Sequence, residues 1–116
     1  MKADADRVYL LHIRDEISFL ETVTKDLRYE QLDSDKLMQH VVQKSLEIIG
    51  EASKKISVET KDSCKNIPWH NVAGMRDRLT HGYFDVNWEL VWNVLQEDIE
   101  PLKNCVERIL CEKRWK

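Results

Sequence analysis

Three features of this 116-residue sequence predict an all-α fold, an antiparallel bundle of four to five helices. Apolar residues recur at intervals of three and four over long stretches, the spacing that lines one face of a helix. Glycine and proline are scarce, at three and two, so few positions interrupt a helix. No segment alternates apolar and polar residues over a length that insists on a strand. A chain of this size forms one domain, 1–116, and buries roughly two-thirds of its unfolded surface.

The first helix is predicted from about Asp4 to about Arg28, with Tyr9, Ile13, Ile17, Leu20 and Leu27 as its apolar stripe and Leu10 and Val23 widening it. Arg14, Asp15, Glu21 and Lys25 take the solvated side. A short link, Tyr29 to Asp33, follows, and Asp33 or Ser34 can cap the next helix by accepting from its unpaired first-turn amides. The second helix is expected from about Asp35 to about Ser57, on Leu37, Val41, Leu46, Ile48, Ile49, Ala52 and Ile56. Gly50 interrupts it at a cost of about 1 kcal/mol relative to alanine. Either the helix tolerates that glycine, or a neighbour approaches it closely.

Val58 to Asn66 is polar and broken, with room for one irregular turn. Pro68 suits the start of a third helix, because the first turn leaves its amides unpaired. That helix is predicted to reach Thr80, with Val72, Met75 and Leu79 inward, and Gly82 supplies the backbone freedom that ends it. The fourth helix starts after Asp85-Val86-Asn87, with Asp85 or Asn87 as its cap, and buries Leu90, Val91, Val94, Leu95, Ile99, Leu102, Val106, Ile109 and Leu110. Pro101 should bend it, since its ring clashes with the carbonyl four residues back. The basic tail Lys113-Arg114-Trp115-Lys116 suits a helix C-terminus.

A net charge of −3 argues against coating nucleic acid through bulk positive charge, while leaving room for a local basic site in a cleft or at a dimer interface. No stretch approaches the roughly 20 apolar residues of a membrane span, so no membrane partner is expected. The start, Met1 to Arg7, carries two acids and does not read as a signal peptide. Cys64, Cys105 and Cys111 are odd in number and lack metal-ligand spacing, which points to a reducing cytoplasm. Cys105 and Cys111, six apart on one helix, are poorly placed to bond to each other. No metal site and no cofactor are expected, for the sequence has neither a Cys/His cluster nor a glycine-rich phosphate loop.

One run concentrates chemistry: Arg76-Asp77-Arg78-Leu79-Thr80-His81-Gly82-Tyr83. Cleaving RNA without a metal takes a base for the 2′-hydroxyl proton, an acid for the leaving 5′-oxygen and a cation for the phosphorane charge. Histidine suits the first two roles and the rigid fork of arginine the third. On an unbroken helix Arg76 and His81 would stand about 140° apart. The chain leaves the helix around Thr80-His81-Gly82, which lets His81 turn back toward Arg76. One chain holds a single such histidine; a symmetric dimer burying this corner would bring two histidines and two arginines around one phosphate. The same run also reads as ordinary helix-end electrostatics with a packing tyrosine. His12, His40 and His70 lack a partnered motif and read as surface groups. Lys54, Lys55, Lys61, Lys65 and Arg78 either line an RNA path or solvate helix faces.

The run resembles the arginine, four residues, histidine, one residue, tyrosine motif of the HEPN-domain ribonucleases, in particular the HepT-like branch, also called DUF86. The likeness extends to Leu46-Glu47-Ile48-Ile49-Gly50-Glu51-Ala52, Ile67-Pro68-Trp69, Gly74-Met75-Arg76, Gly82-Tyr83-Phe84-Asp85-Val86-Asn87 and Val91-Trp92, and covers about Tyr9 to Leu102. The resemblance implies a HEPN-like homodimer with a cleft at its interface. It implies a metal-independent endoribonuclease, with Arg76 and His81 as the catalytic pair, RNA as substrate and no DNA. Many members are toxins of type VII-like toxin–antitoxin systems, paired with a small nucleotidyltransferase-fold antitoxin that transfers AMP to the motif tyrosine, here Tyr83. Asp77, Arg78 and Thr80 would be supporting residues. Asp77 departs from the family pattern, where a polar amide is expected. Its carboxylate would either pair with Arg76 and repel phosphate, or orient His81 and raise its basicity. The alternative is a non-catalytic HEPN-like dimer that binds a nucleotidyltransferase partner or nucleotide.

Overall fold

The computed structural model describes residues 2–75, 80–81 and 85–112, with side chains for 5–75 and 86–112. Helix α1 spans Lys2–Val23 and α3 spans Lys36–Lys54, with the short α2, Tyr29–Ser34, between them. A single turn, α4 (Val58–Lys61), and α5 (Trp69–Ala73) follow. Two-residue strands, β1 (Thr80–His81) and β2 (Asp85–Val86), pair antiparallel. The last rod consists of α6 (Trp88–Asn93), a π-helical turn (Val94–Asp98) and α7 (Ile99–Glu112).

The core is one apolar cluster. Leu10, Ile13, Ile17 and Leu20 from α1 meet Val42, Leu46 and Ile49 from α3 and Leu102, Val106 and Ile109 from α7, all essentially excluded from water. Burying each such side chain contributes about 1.5–3 kcal/mol. Two hydrogen bonds fix the α1–α3 pairing as antiparallel. Asp6, near the start of α1, binds Ser57 just beyond α3, and Glu16 accepts from Ser45 Oγ at 2.9 Å. Lys103 Nζ meets Glu21 Oε2 at 3.1 Å and ties α7 to α1; this hydrogen bond raises the lysine's pKa above its ordinary value.

The expected bundle is present, with corrections at its joints. The predicted link at Tyr29–Asp33 is helix α2, because the Gln31 side chain accepts from the Arg28 amide at 2.8 Å and Leu32 is fully buried. The cap of α3 is Asp35, which accepts from Met38 N at 3.2 Å, in place of Asp33 or Ser34. Leu37, assigned to the stripe, is 76% exposed, while Val42 is buried: α3 begins at Lys36, so its first turn stands clear of the core. Asn87 caps α6 through Leu90 N at 3.1 Å. Pro101 has no amide for the Glu97 carbonyl, and the preceding turn widens to a π pattern in which Ile99 N–H reaches Val94 O. The β1–β2 ladder has no counterpart in the apolar pattern; two residues a side are too few to show an alternation.

Asp6 is a buried carboxylate, 2% exposed. Its oxygens accept from Ser57 N at 2.9 Å, from Ser57 Oγ and from Thr60 Oγ1 at 2.6 Å. The carboxylate thereby holds α4 against the N-terminal end of α1. Asp6→Ala should cost about 3 kcal/mol, since it strands donors in a dry setting. Urea unfolding would measure this; a midpoint within error of the wild type would show that water replaces the carboxylate.

Candidate active site

Described elements lead into and out of the Arg76–Tyr83 run. Its approach is α5, flanked by Pro68, whose carbonyl accepts from Val72 N at 3.0 Å. Trp69 is buried, and its indole Nε1 donates to the carbonyls of Lys61 and Cys64, both at 3.1 Å. Val72 and Met75 point into the core, as the spacing predicts. The C-terminal end of α5 lies against Gly50 of α3. A Cβ at position 50 would stand 3.1 Å from the Val72 carbonyl oxygen and 3.4 Å from that of Ala73. Of the two readings of Gly50, the close approach is therefore the one found: the glycine seats the segment that enters the run.

The exit from the run is the β1–β2 ladder, with Thr80 opposite Val86 and His81 opposite Asp85. The third helix was expected to continue to Thr80. Instead Thr80 and His81 are already extended, paired to the strand that leads through Asn87 into α6. The ladder's hydrogen bonds hold the backbone that carries His81. Trp88, Leu90 and Trp92 of α6 pack partly buried against the core, and Trp92 meets Tyr29 of α2 edge-on at 6.1 Å between ring centres. Burial, followed by the charges of Asp33 and Glu89, pushes the Tyr29 hydroxyl's pKa upward.

Arg76, Asp77, Arg78 and Tyr83, the predicted cation, its neighbours and the modification target, lie outside the described residues, as does Leu79. Thr80 and His81 are described in backbone alone. His12, His40 and His70 are exposed, in keeping with their surface reading. Lys54 pairs with Glu51 at 3.1 Å on an exposed face, and Lys55 and Lys65 are exposed. Among the described residues, no group of three or more His, Cys, Asp and Glu is placed to hold a metal ion. No helix among them is long and apolar enough to cross a membrane.

The sequence profile of the family described as ribonuclease HepT-like matches residues 13–109. The chain belongs to the ribonuclease HepT-like family. Three relatives match over nearly their full lengths. A protein of Caldanaerobacter subterraneus subsp. tengcongensis, provisionally named an RNase, is 37% identical over 93% of this chain and 96% of its own. A protein of Thermococcus cleftensis, provisionally named ribonuclease HepT, is 41% identical over 87% and 92% respectively. One from Methanocaldococcus jannaschii, also provisionally named an RNase, is 33% identical over 87% and 93%. No solved structure matches the chain. The matched span of this HepT-like chain runs from the α1 core into α7 and contains the whole Arg76–Tyr83 run.

One expectation is overturned beside this site. Cys64 and Cys105 are joined in a disulfide, with their Cα atoms 6.2 Å apart, where the cysteine count had suggested reduced thiols. Cys111 is free and exposed. The bonded pair is 41 residues apart in sequence, and the turn after α4 brings it together by packing on α7, so spacing carries no signal of it.

Proposed function

We propose that this HepT-like chain is an endoribonuclease that cleaves RNA by 2′-hydroxyl attack, with Arg76 and His81 as its catalytic pair. Family membership over a span that retains the complete Arg76–His81–Tyr83 run carries this reading. His81 takes the 2′-hydroxyl proton, and the freed oxygen attacks the adjacent phosphorus. The leaving 5′-oxygen receives a proton from a second histidine, His81 of another copy of the chain, and the product end is a 2′,3′-cyclic phosphate. Arg76 offsets the charge on the phosphorane oxygens. The second histidine makes the active unit a homodimer with the corner at its interface. Asp77, Arg78 and Thr80 support the pair. The step itself calls on no metal ion.

In this reading the chain is the toxin of a toxin–antitoxin pair in the cytoplasm. Its partner is a small nucleotidyltransferase-fold antitoxin that attaches AMP to Tyr83. The added phosphate places negative charge beside Arg76, where it competes with the RNA phosphate. Co-expression with a small nucleotidyltransferase-fold antitoxin should raise the intact mass by one AMP adduct or more, and Tyr83→Phe should abolish the shift. No shift in the wild type would rule out Tyr83 as the silencing site.

The activity itself is tested by incubating the purified chain with a structured RNA in EDTA, beside His81→Ala and Arg76→Ala. Cleavage to cyclic phosphate ends by the wild type and by neither variant supports the proposal. Equal cleavage by all three marks a contaminant. Asp77 favours a second reading, in which the carboxylate neutralises Arg76 and the dimer binds its partner or a nucleotide without cutting RNA; silence from all three proteins supports that one.

A further inference from the structure

Cys64 and Cys105 take no part in the chemistry above; both are nearly shut off from water, at 2% and 4% exposed, except where a cavity meets them. Cys64 lies in the connection between α4 and α5, and Cys105 lies midway along α7. A cavity of about 460 Å³ reaches both residues, with Arg108, Glu97 and Glu100 among its walls. Arg108 is fastened over one of the two sulfurs. Its Nη2 donates to Cys64 Sγ at 2.8 Å and to the Ser63 carbonyl at 2.6 Å, while Nη1 pairs with Glu112 at 3.3 Å. The Cys64 carbonyl in turn accepts from the Trp69 indole, which anchors the start of α5. One covalent bond therefore ties α7 to the base of the segment that leads into residues 76–83.

We propose that Cys64–Cys105 is a reversible thiol–disulfide exchange site, reduced through this cavity by a dithiol, and that its reduction loosens α5. The guanidinium decides the direction of attack, because a cation beside a sulfur stabilises its thiolate and makes it the better leaving group. The reductant's thiolate bonds to Cys105 Sγ. The Cys64–Cys105 bond breaks, and its electron pair leaves on Cys64 as a thiolate held by Arg108. The reductant's second thiol, deprotonated, then attacks its own sulfur in the mixed disulfide and releases Cys105. The protein gains two electrons and one proton, which goes to Cys105 while Cys64 stays a thiolate; the dithiol becomes a disulfide and its other proton passes to water. The site does not depend on the nuclease reading, since its readouts are thiol counts and protection of the backbone.

Dithiothreitol serves as the probe on the full-length chain. After purification without reductant, denaturation and alkylation should label one cysteine, Cys111; after reduction they should label three. Native protein should be reduced without denaturant, and Arg108→Met should slow this at least about tenfold while Arg108→Lys keeps most of the rate. Reduction should lower Tm by about 10 °C. Hydrogen exchange at Trp69–Ala73 should then quicken about tenfold or more, with α1 and α3 keeping their protection. Three labelled cysteines before reduction, reduction only in denaturant, or identical exchange in both forms would each overturn the proposal. Should Arg108→Met fail to fold, the wild-type labelling and exchange results decide it.

Discussion

Replacing His81 with alanine should slow RNA cleavage about a hundred- to ten-thousand-fold, the range that general acid–base groups contribute. In a symmetric dimer the substitution removes base and acid together, so the loss should fall toward the upper end. Arg76→Ala should cost about a hundred- to a thousand-fold, through phosphorane charge left without its counterion. Neither change touches the described core, so circular dichroism and urea midpoints should match the wild type. Asp77→Asn separates the two roles of that carboxylate. If Asp77 pairs with Arg76, the amide frees the guanidinium and cleavage rises. If Asp77 orients His81, it holds the imidazolium form, and its loss shifts the rising limb of the pH–rate profile to lower pH while cutting the maximum. A His81→Ala protein that cleaves at the wild-type rate, with contaminants excluded, would end the assignment.

Gly50→Val should destabilise the fold by about 3 kcal/mol. The new Cβ would sit 3.1 Å from the Val72 carbonyl oxygen and 3.8 Å from Met75 Cβ. The first neighbour is backbone, which has no rotamer to yield, and valine adds two further methyl groups at the same place. Gly50→Ala is the informative control. It regains about 1 kcal/mol of helix propensity and meets the same carbonyl with a single methyl, so its net change should lie close to zero. The urea midpoint should fall for valine with the slope unchanged. Because α5 leads into residue 76, the valine variant should also lose cleavage beyond what its unfolded fraction explains. An unchanged midpoint would mean that α5 does not rest on this glycine.

Much of this architecture is legible in the sequence because burial and periodicity coincide. The α1 stripe of Ile13, Ile17 and Leu20 is the clearest case: every position lies against the core. Gly50 is legible for a different reason, as a costly residue in a helix must be offset by something specific. Helix α2 is hidden because it buries Leu32 alone and is held by the side chain of Gln31. Leu37 misleads because periodicity records a face, whereas exposure depends on where the neighbouring helices stop. Asp6 and the Cys64–Cys105 pair are hidden because their partners lie some 40–55 residues away, at separations of 51, 54 and 41. At the site, the run of Arg76, His81 and Tyr83 together with its flanking segments carries the family resemblance. The extended backbone at Thr80 and His81 follows instead from pairing with Asp85 and Val86, which no local propensity announces.

The widened turn before Pro101 has a consequence for the aim of that corner. The buried positions of the last rod are Val91, Val94, Ile99, Leu102, Cys105, Val106 and Ile109. Between Val94 and Ile99 the interval is five residues, one more than a regular helix would use, and that surplus residue corresponds to about 100° of rotation. The π turn absorbs it, acting as a phase shifter, so both halves of the rod keep one buried line although they serve different neighbours, α2 on one side and α1 on the other. Deleting a residue within 94–98 would turn α6 by about 100° against α7 and swing Asn87 and β2 with it. The orientation of the corner that holds His81 is thus set partly by a residue count more than ten positions downstream.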